Sequence, residues 1–455
     1  MNRRWLVLLP VLMVLGASTV RSAGEPDLDF GVDGEVTTSI TGNTDGAHAI
    51  ALQPDGKIVV AGWAQLLDNA VSKDFAVLRY EIDGSLDTSF GTNGIATTNF
   101  SGFFDDVWAV AIQPDGKIIA GGRTGNSNDF DFGLVRYTST GLPDLTFGPD
   151  NDGMVETNFF GANDFLFDLV LQDDTKFIAA GSAIAAVTNE DFALARYLAS
   201  GELDSNFGTG GRVLTNVGGG NFNDGGRAAA LQPDGKIVMV GFADTATDLE
   251  RALARYNSDG SLDISFGSGG TVTTDLFGGK DVASGVALQR DGKIIVVGQT
   301  SELVLSDEAD LVAARYLPNG TLDPSFGDAG NTVTNVGLFD ALFDVAIQVD
   351  GKAVATGVSK PVPNGQWILV VRYRTDGTLD PAFGTNGIVV TNPAGNFDWG
   401  NAIALQADHK IVMAGEAFSS GGGTGEVVVA RYLTDIIFVD GFESGDISVW
   451  SDSQP

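Results

Sequence analysis

A turn motif that recurs seven times constrains the fold of this chain more than any other feature. The motif is Gln-x-x-x-Lys, and successive copies begin 57 to 60 residues apart. Its glutamines are Gln53, Gln113, Gln172, Gln232, Gln289, Gln348 and Gln406. A period of this length over most of the chain predicts an array of similar units rather than a few unrelated domains.

Each repeat is predicted to form four short β-strands, A to D. In the first repeat, strand A (Ala49–Gln53) leads through a Pro-Asp-Gly turn into strand B (Lys57–Gly62), and Asp-Gly is a hairpin signal. Strands C and D follow at Phe75–Tyr80 and Ile95–Asn99. Four strands in each of seven repeats predict an all-β, seven-bladed β-propeller, with a β-solenoid as the alternative.

The two ends of the chain favour the propeller. An Arg-Tyr pair ends each strand C, and in six repeats an Asp-x-x-Phe-Gly motif begins eight residues after that arginine. The last arginine, Arg431, has no such motif after it, whereas an extra copy at Asp27 precedes the first repeat. We therefore expect the N-terminal strand Glu35–Ser39 to complete the last blade, and Arg431 to pair with Asp27 in a structural contact.

These motifs resemble those of a known family. Residues 53–60 read Gln-Pro-Asp-Gly-Lys-Ile-Val-Val, an Arg-Tyr pair follows, and residues 84–91 read Gly-Ser-Leu-Asp-Thr-Ser-Phe-Gly. The pattern extends from Asp27 to Tyr432 and resembles the delta-60 repeat family of exported bacterial proteins. The resemblance implies a β-propeller fold and export, and it implies no known activity.

The N-terminus has the features of a secretory signal peptide. Arg3 and Arg4 precede the apolar stretch Leu6–Leu15, and small residues follow up to Ala23. We therefore divide the chain into a leader (1–23), a propeller (24–433) and a C-terminal tail (434–455). The mature protein is expected in the periplasm, at the cell surface or outside the cell, without a transmembrane span.

Composition excludes several functional classes. The formal net charge is −33, so phosphate backbones would be repelled and nucleic-acid binding is not expected. The chain has no cysteine and only two histidines, which excludes disulfides, thiolate metal sites and a three-histidine zinc site. No cofactor motif is present, and we expect a monomer.

One edge of the predicted propeller is more variable than the other. The Gln-x-x-x-Lys turns and the Arg-to-Asp connections have fixed lengths, and they share one edge, which we call the bottom. The B–C and D–A loops share the opposite edge, the top; there the Gln-to-Arg distance varies from 23 to 26 residues. Variable loops on a rigid scaffold usually carry the binding site, so we expect the site at the top.

Two sets of top-edge residues are candidates for the binding site. An aspartate lies eight residues before each motif glutamine, and it either caps a turn or contributes to a Ca²⁺ site. This aspartate ring comprises Asp45, Asp105, Asp164, Asp224, Asp281, Asp340 and Asp398. Four tryptophans are also predicted there, either as packing residues or as stacking platforms for sugars: Trp63, Trp108, Trp367 and Trp399.

Three functions are compatible with the sequence. The leading hypothesis is a non-enzymatic binding module whose acidic, aromatic top face holds a glycan, polymer, protein or divalent cation. The second is a glycosidase or polysaccharide lyase that uses top-face carboxylates. Because catalysis needs unequal environments, its best candidates are residues that break the repeat: His48, Arg227, Lys280 and Trp367. The third is a structural or surface protein.

Overall fold

A computed structural model describes residues 22–435, except 66–71, 101–103, 127–128, 173–174, 186–188, 246, 303–307, 363–364, 394 and 420–423. All of the predicted leader but Ser22 and Ala23 lies outside the described residues, as do residues 436–455 of the predicted tail. Within the described part every regular element is a β-strand, and no helix could span a membrane. The prediction of an all-β chain is therefore confirmed.

The described strands form seven antiparallel sets of four. The first strands are β2 (Asp45–Leu52), β6 (Asp106–Ile112), β10 (Asp164–Leu171), β14 (Asp224–Leu231), β18 (Lys280–Leu288), β22 (Asp340–Ile347) and β26 (Gly395–Leu405). The second strands are β3 (Ile58–Ala64), β7 (Ile118–Asn126), β11 (Phe177–Ala185), β15 (Ile237–Asp244), β19 (Ile294–Ser301), β23 (Ala353–Val362) and β27 (Ile411–Ser419). In each repeat the Gln-x-x-x-Lys turn connects these two strands into a hairpin.

The third and fourth strands complete each set. The third strands are β4 (Asp74–Tyr80), β8 (Asp129–Tyr137), β12 (Asn189–Tyr197), β16 (Leu249–Tyr256), β20 (Asp310–Tyr316), β24 (Gly365–Tyr373) and β28 (Gly425–Tyr432). The fourth strands are β5 (Ile95–Thr98), β9 (Met154–Thr157), β13 (Arg212–Thr215), β17 (Thr271–Thr274), β21 (Asn331–Thr334), β25 (Ile388–Thr391) and β1 (Glu35–Thr38). The last of these, β1, comes from the N-terminus and pairs with β28.

The core lies between neighbouring sets. The second and third strands are buried on both faces, which explains apolar runs such as Ile-Val-Val-Ala-Gly-Trp-Ala in β3. The first strand of each set contacts the first strand of the next, and β26 of the last set contacts β2 of the first. The first strands therefore surround a common space, and the fourth strands lie farthest from it.

An ion-pair network at the bottom edge repeats in each set. In the fourth set, Arg255 Nε donates to Asp263 Oδ2 at 2.8 Å, and Lys236 Nζ lies 2.9 Å from the same oxygen. The guanidinium also lies over the Phe266 ring, 4.5 Å from its centroid. The guanidinium also extends to the next set, where it donates a hydrogen bond to the carbonyl of Pro318. The fixed spacing of these motifs thus reflects one charged staple, which ties a set to its neighbour. The sixth set departs from this pattern, because Arg372 donates to Asp435 instead.

The same staple joins the two ends of the chain. Arg431 Nε donates to Asp27 Oδ2 at 2.7 Å, and Lys410 Nζ lies 2.9 Å from that oxygen. Arg431 also donates to the carbonyl of Ile82, in the first set. Ala23 is buried beside this seam, where its carbonyl accepts a hydrogen bond from Gly384 N–H. The contacts that connect consecutive sets therefore also connect the last set with the first.

Substitution of Asp27 tests how much the seam contributes. In Asp27→Ala, Arg431 and Lys410 lose their shared carboxylate, and the free energy of unfolding should fall by about 3 kcal/mol. Asp263→Ala removes the equivalent carboxylate inside the fourth set and is the matched control. Urea denaturation should give similar losses for both variants. A seam that contributes nothing would leave Asp27→Ala as stable as the unsubstituted protein while Asp263→Ala is destabilised.

Candidate functional site

A β-bulge interrupts every first strand at the same place. The register of each first and second strand shifts by one residue, always five residues before the motif glutamine. The bulged residues, which we call the bulge ring, are His48, Trp108, Phe167, Arg227, Ser284, Phe343 and Asn401. Bulges turn a side chain out of the regular ladder and are frequent next to functional sites.

A glycine in the second strand makes room for each bulge. A Cβ atom at Gly241 would lie 1.9 Å from the carbonyl oxygen of Gly225, and one at Gly62 would lie 2.0 Å from that of Gly46. The same approach, at 1.8 to 2.0 Å, occurs in every set. The glycines are Gly62, Gly122, Gly181, Gly241, Gly298, Gly357 and Gly415, each five residues after the turn lysine. This glycine inside an apolar strand is the sequence signal from which the bulges could have been predicted.

All seven bulge-ring residues line one central cavity of about 810 Å³. This volume falls within the range of small-molecule sites. Further lining residues come from the strand halves next to the variable loops, such as Arg123 of β7 and Glu190 of β12. The cavity therefore occupies the part of the central space nearer the top edge.

An arc of π-systems forms one wall of the cavity. The His48 ring stacks on Trp108 with centroids 4.0 Å apart, and Trp108 meets the edge of Phe167 at 5.4 Å. Phe167 in turn lies under the Arg227 guanidinium, 4.4 Å from its centroid. Four consecutive members of the bulge ring are thus in direct contact. Elsewhere the cavity is lined by Phe165, Phe339, Phe343 and Trp399.

His48 is held by two acceptors. Its Nδ1 lies 3.0 Å from the carbonyl oxygen of Val107, and its Nε2 lies 2.8 Å from Oε1 of the buried Glu416. Because a carbonyl oxygen only accepts, Nδ1 is the donor to Val107. The pair therefore fixes the ring against Trp108 and leaves neither nitrogen free to face the cavity.

Two carboxyl groups on the cavity wall have raised pKa values. Burial raises the pKa of Asp168 to about 7, although the group accepts N–H bonds from Ala229 at 2.8 Å and Leu169 at 2.7 Å. Burial likewise raises the pKa of Asp344 to about 6, against N–H bonds from Ile403 and Val345. The other sets have Ala or Gly at this position. These two aspartates are therefore a second departure from the repeat inside the cavity.

The aspartate ring predicted as a ligand set is turned into the protein. Its seven side chains are at most 1% exposed, and each accepts at least one backbone N–H bond. Asp224 Oδ2, for example, accepts from Val217 at 2.7 Å and Gly218 at 2.9 Å. The turn-capping interpretation describes these contacts, because loop N–H groups need acceptors once they are buried. The ring is therefore not the exposed acidic surface that we expected.

Among the described residues, no group of three or more acidic or histidine side chains is placed to hold a metal ion.

The four tryptophans that were predicted at the top edge do not lie together. Trp63 is 5% exposed and lies under Lys73 Nζ at 3.5 Å. Trp108 and Trp399 line the cavity, where Trp399 Nε1 donates to Gln366 at 3.0 Å, whereas Trp367 is half-buried in β24 and is not part of the lining. Two of the four candidates therefore share a site.

Comparison with known proteins supports the fold. Six segments match a family described as a domain of unknown function (DUF5122) beta-propeller: residues 53–90, 113–147, 172–207, 232–266, 289–326 and 348–383. Each segment begins at a motif glutamine and ends at the phenylalanine of Phe-Gly. The chain is thus a repeat protein of the β-propeller type. No curated protein matches the sequence.

Several solved structures are distantly similar. A catalytically inactive virginiamycin B lyase from Staphylococcus aureus, crystallised with quinupristin, is 10% identical, with 87% of this chain and 98% of that chain covered and a TM-score of 0.49. An unknown function protein from Dyadobacter fermentans is 12% identical, with 88% and 98% covered and a TM-score of 0.46. A polysaccharide lyase is 12% identical, with 85% and 90% covered and a TM-score of 0.45. Similarity this remote carries no argument about activity.

The raised carboxyl pKa values predict how stability depends on pH. An unfolded aspartate titrates near 3.9, whereas Asp164 and Asp168 titrate near 7 and Asp191 and Asp344 near 6. Between about pH 4 and 7 the folded chain therefore binds more protons than the unfolded chain. Its free energy of unfolding should fall as the pH rises through this range.

Asp168→Asn tests this assignment, because the amide cannot ionise. Thermal unfolding should show a smaller fall in Tm from pH 5 to pH 8 for Asp168→Asn than for the unsubstituted protein. Asp150→Asn removes the same charge from an exposed turn and should keep the full pH dependence. Equal pH profiles for all three proteins would show that Asp168 titrates normally.

Proposed function

We propose that this repeat β-propeller protein is an exported, closed, seven-bladed propeller that binds a small molecule in its central cavity without transforming it. The ligand site is the bulge ring, inside the propeller, rather than the outer loops of the top edge. Recognition is thereby assigned to residues on strands rather than to the loops of the top edge. No cation or nucleic acid is required for it.

Contacts at the seam support a closed ring of seven blades. β1 pairs with β28 as the other fourth strands pair with their third strands. Gly31 N–H donates to the carbonyl of Asp83 at 2.9 Å, and the equivalent Gly208 N–H donates to Asp259 at 2.8 Å. A blade completed by both chain ends leaves only the short strand β1 at its outer edge, as the other sets leave their short fourth strands.

Export rests on the leader predicted in residues 1–23. Cleavage before Ala23, rather than after it, would preserve the hydrogen bond from Gly384 to the Ala23 carbonyl. The absence of cysteine and the negative charge are compatible with a monomer outside the cytoplasm. Of the predicted tail, Asp435 accepts hydrogen bonds from the buried Arg372 at 2.7 and 3.2 Å and so fastens the start of the tail to the sixth set.

One observation carries the proposal of ligand binding. The turn, Arg-Tyr, Asp-x-x-Phe-Gly and second-strand glycine residues recur in all seven sets, whereas the bulge ring contains an imidazole, an indole, two phenyl rings, a guanidinium, a hydroxyl and an amide. A purely structural channel would repeat one packing solution. The seven bulge-ring positions carry six chemical types of side chain and line one cavity of about 810 Å³. This is the pattern expected for recognition of an asymmetric molecule.

The geometry favours binding over catalysis. A carbohydrate-active enzyme needs a carboxyl group or base that can reach its substrate. The aspartate ring is bound to backbone N–H groups, and both nitrogens of His48 are occupied. Asp168 and Asp344 face the cavity, but their oxygens already accept N–H bonds. Each of these acids and bases would first have to lose a structural contact.

Blocking the cavity tests the proposal. N-phenyl-1-naphthylamine is a neutral dye that fluoresces in apolar sites, and we expect saturable binding of one dye per chain. Ser284→Trp places an indole in the cavity and should weaken dye binding at least tenfold. Ser268→Trp adds the same group at an exposed turn and should leave binding unchanged. Circular dichroism establishes that both variants fold, and Ser284→Phe provides a smaller block. Undiminished binding in folded blocked variants would refute the cavity as the site.

A further inference from the structure

Most of the polar groups that line the cavity are already hydrogen-bonded within the protein. His48 is bonded to Val107 and Glu416, and Asn401 Nδ2 donates to the carbonyl of Ala47 at 2.8 Å. Trp399 is bonded to Gln366, the two cavity aspartates accept backbone N–H groups, and Arg123 donates to Asp106 at 3.0 Å. A ligand would therefore find few free donors and acceptors on these walls.

Among the described lining residues, the charged or hydroxyl side chains without a hydrogen bond are Glu190, Arg227 and Ser284, and Arg227 is the one cation of the three. Within the described part of the chain, its guanidinium has no hydrogen bond and no ion pair. It is held by two rings, Phe167 at 4.4 Å and Phe242 at 5.2 Å. Glu190 lines the same cavity but lies outside ion-pair distance, and burial lowers the pKa of Arg227 from its ordinary value. Arginine nevertheless stays charged in proteins, so Arg227 is a cation on the cavity wall with no directly paired anion, although the charge of Glu190 acts on it from a longer distance.

The neighbouring ring position supplies a small donor. Ser284 follows Arg227 in the bulge ring, and its hydroxyl has no partner among the described residues. A guanidinium and a hydroxyl match a carboxylate, which accepts paired N–H bonds from arginine and one more bond from a hydroxyl. Other ring positions supply aromatic surface, with Trp108, Phe167 and Phe343.

We propose that the cavity binds an organic carboxylate with a flat, apolar body, the carboxylate at Arg227 and Ser284 and the body against the aromatic arc. This inference rests on the proposed function and adds the class of ligand. Sugars are a poorer match, because each hydroxyl that enters without a partner costs desolvation energy, and the walls offer few free partners. A single carboxylate loses less desolvation energy, because it can pair with the Arg227 guanidinium.

A matched pair of probes tests this inference by isothermal titration calorimetry at pH 8. Naphthalene-2-carboxylate and 2-naphthamide have the same flat body and differ in charge. The carboxylate should bind at least tenfold more tightly than the amide. In Arg227→Gln that preference should disappear through weaker carboxylate binding, while the affinity for the amide is kept. Arg227→Lys, which keeps the charge without the planar fork, should retain part of the preference.

Arg290→Gln is the control, because it removes the same charge from an exposed bottom turn and should bind both probes normally. Equal affinities of the two probes in the unsubstituted protein would overturn the inference, as would tighter binding of glucuronate than of the naphthyl carboxylate. If the naphthyl compounds fail and N-phenyl-1-naphthylamine still binds, the ligand class is wrong and the cavity site stands. If the dye also fails, the proposed function itself is wrong.

Discussion

The structure depends on a desolvated arginine at the bottom edge of each set. Its guanidinium bonds an aspartate within the set and lies over a phenylalanine, as Arg255 does with Asp263 and Phe266. In six of the seven sets it also donates to the backbone of the next set, whereas Arg372 of the sixth set donates to Asp435. Buried ion pairs of this kind tolerate little change in geometry, since one missing partner leaves an uncompensated charge. The constraint explains why the bottom connections keep one length. It also means that length and composition can change freely only at the opposite edge and in the central space.

A second constraint acts inside each hairpin. The glycine of the second strand lets the first strand bulge, and the bulge moves one side chain out of the ladder. The first strand then continues beyond the bulge, which is why β2 begins at Asp45 rather than at the predicted Ala49. The predicted loop aspartates consequently lie at the starts of strands, where burial directs them to backbone N–H groups. Their position was predicted, but their surroundings were not.

The sequence predicted the framework better than the site. Repetition identified the four strands, the all-β class and the propeller type, because each prediction depends on residues that recur seven times. The contact between Arg431 and Asp27 follows from the same logic, since a missing motif at one end matches an extra motif at the other. The cavity could not be found in this way, because its seven ring residues share no chemistry. His48, Arg227 and Trp108 were noticed separately, and only the three-dimensional register brings them to one wall.

The bulge has a consequence for how such proteins diverge. When a gene segment encoding one repeat is duplicated, the copy inherits the staple, the turn and the glycine, all of which resist change. The bulged residue is inherited too, but it has left the ladder and can mutate without disturbing strand pairing. Sets of duplicated repeats can therefore acquire new ligands one codon at a time while their overall identity stays high. Two members of such a lineage could share nearly all their framework residues and recognise unrelated molecules.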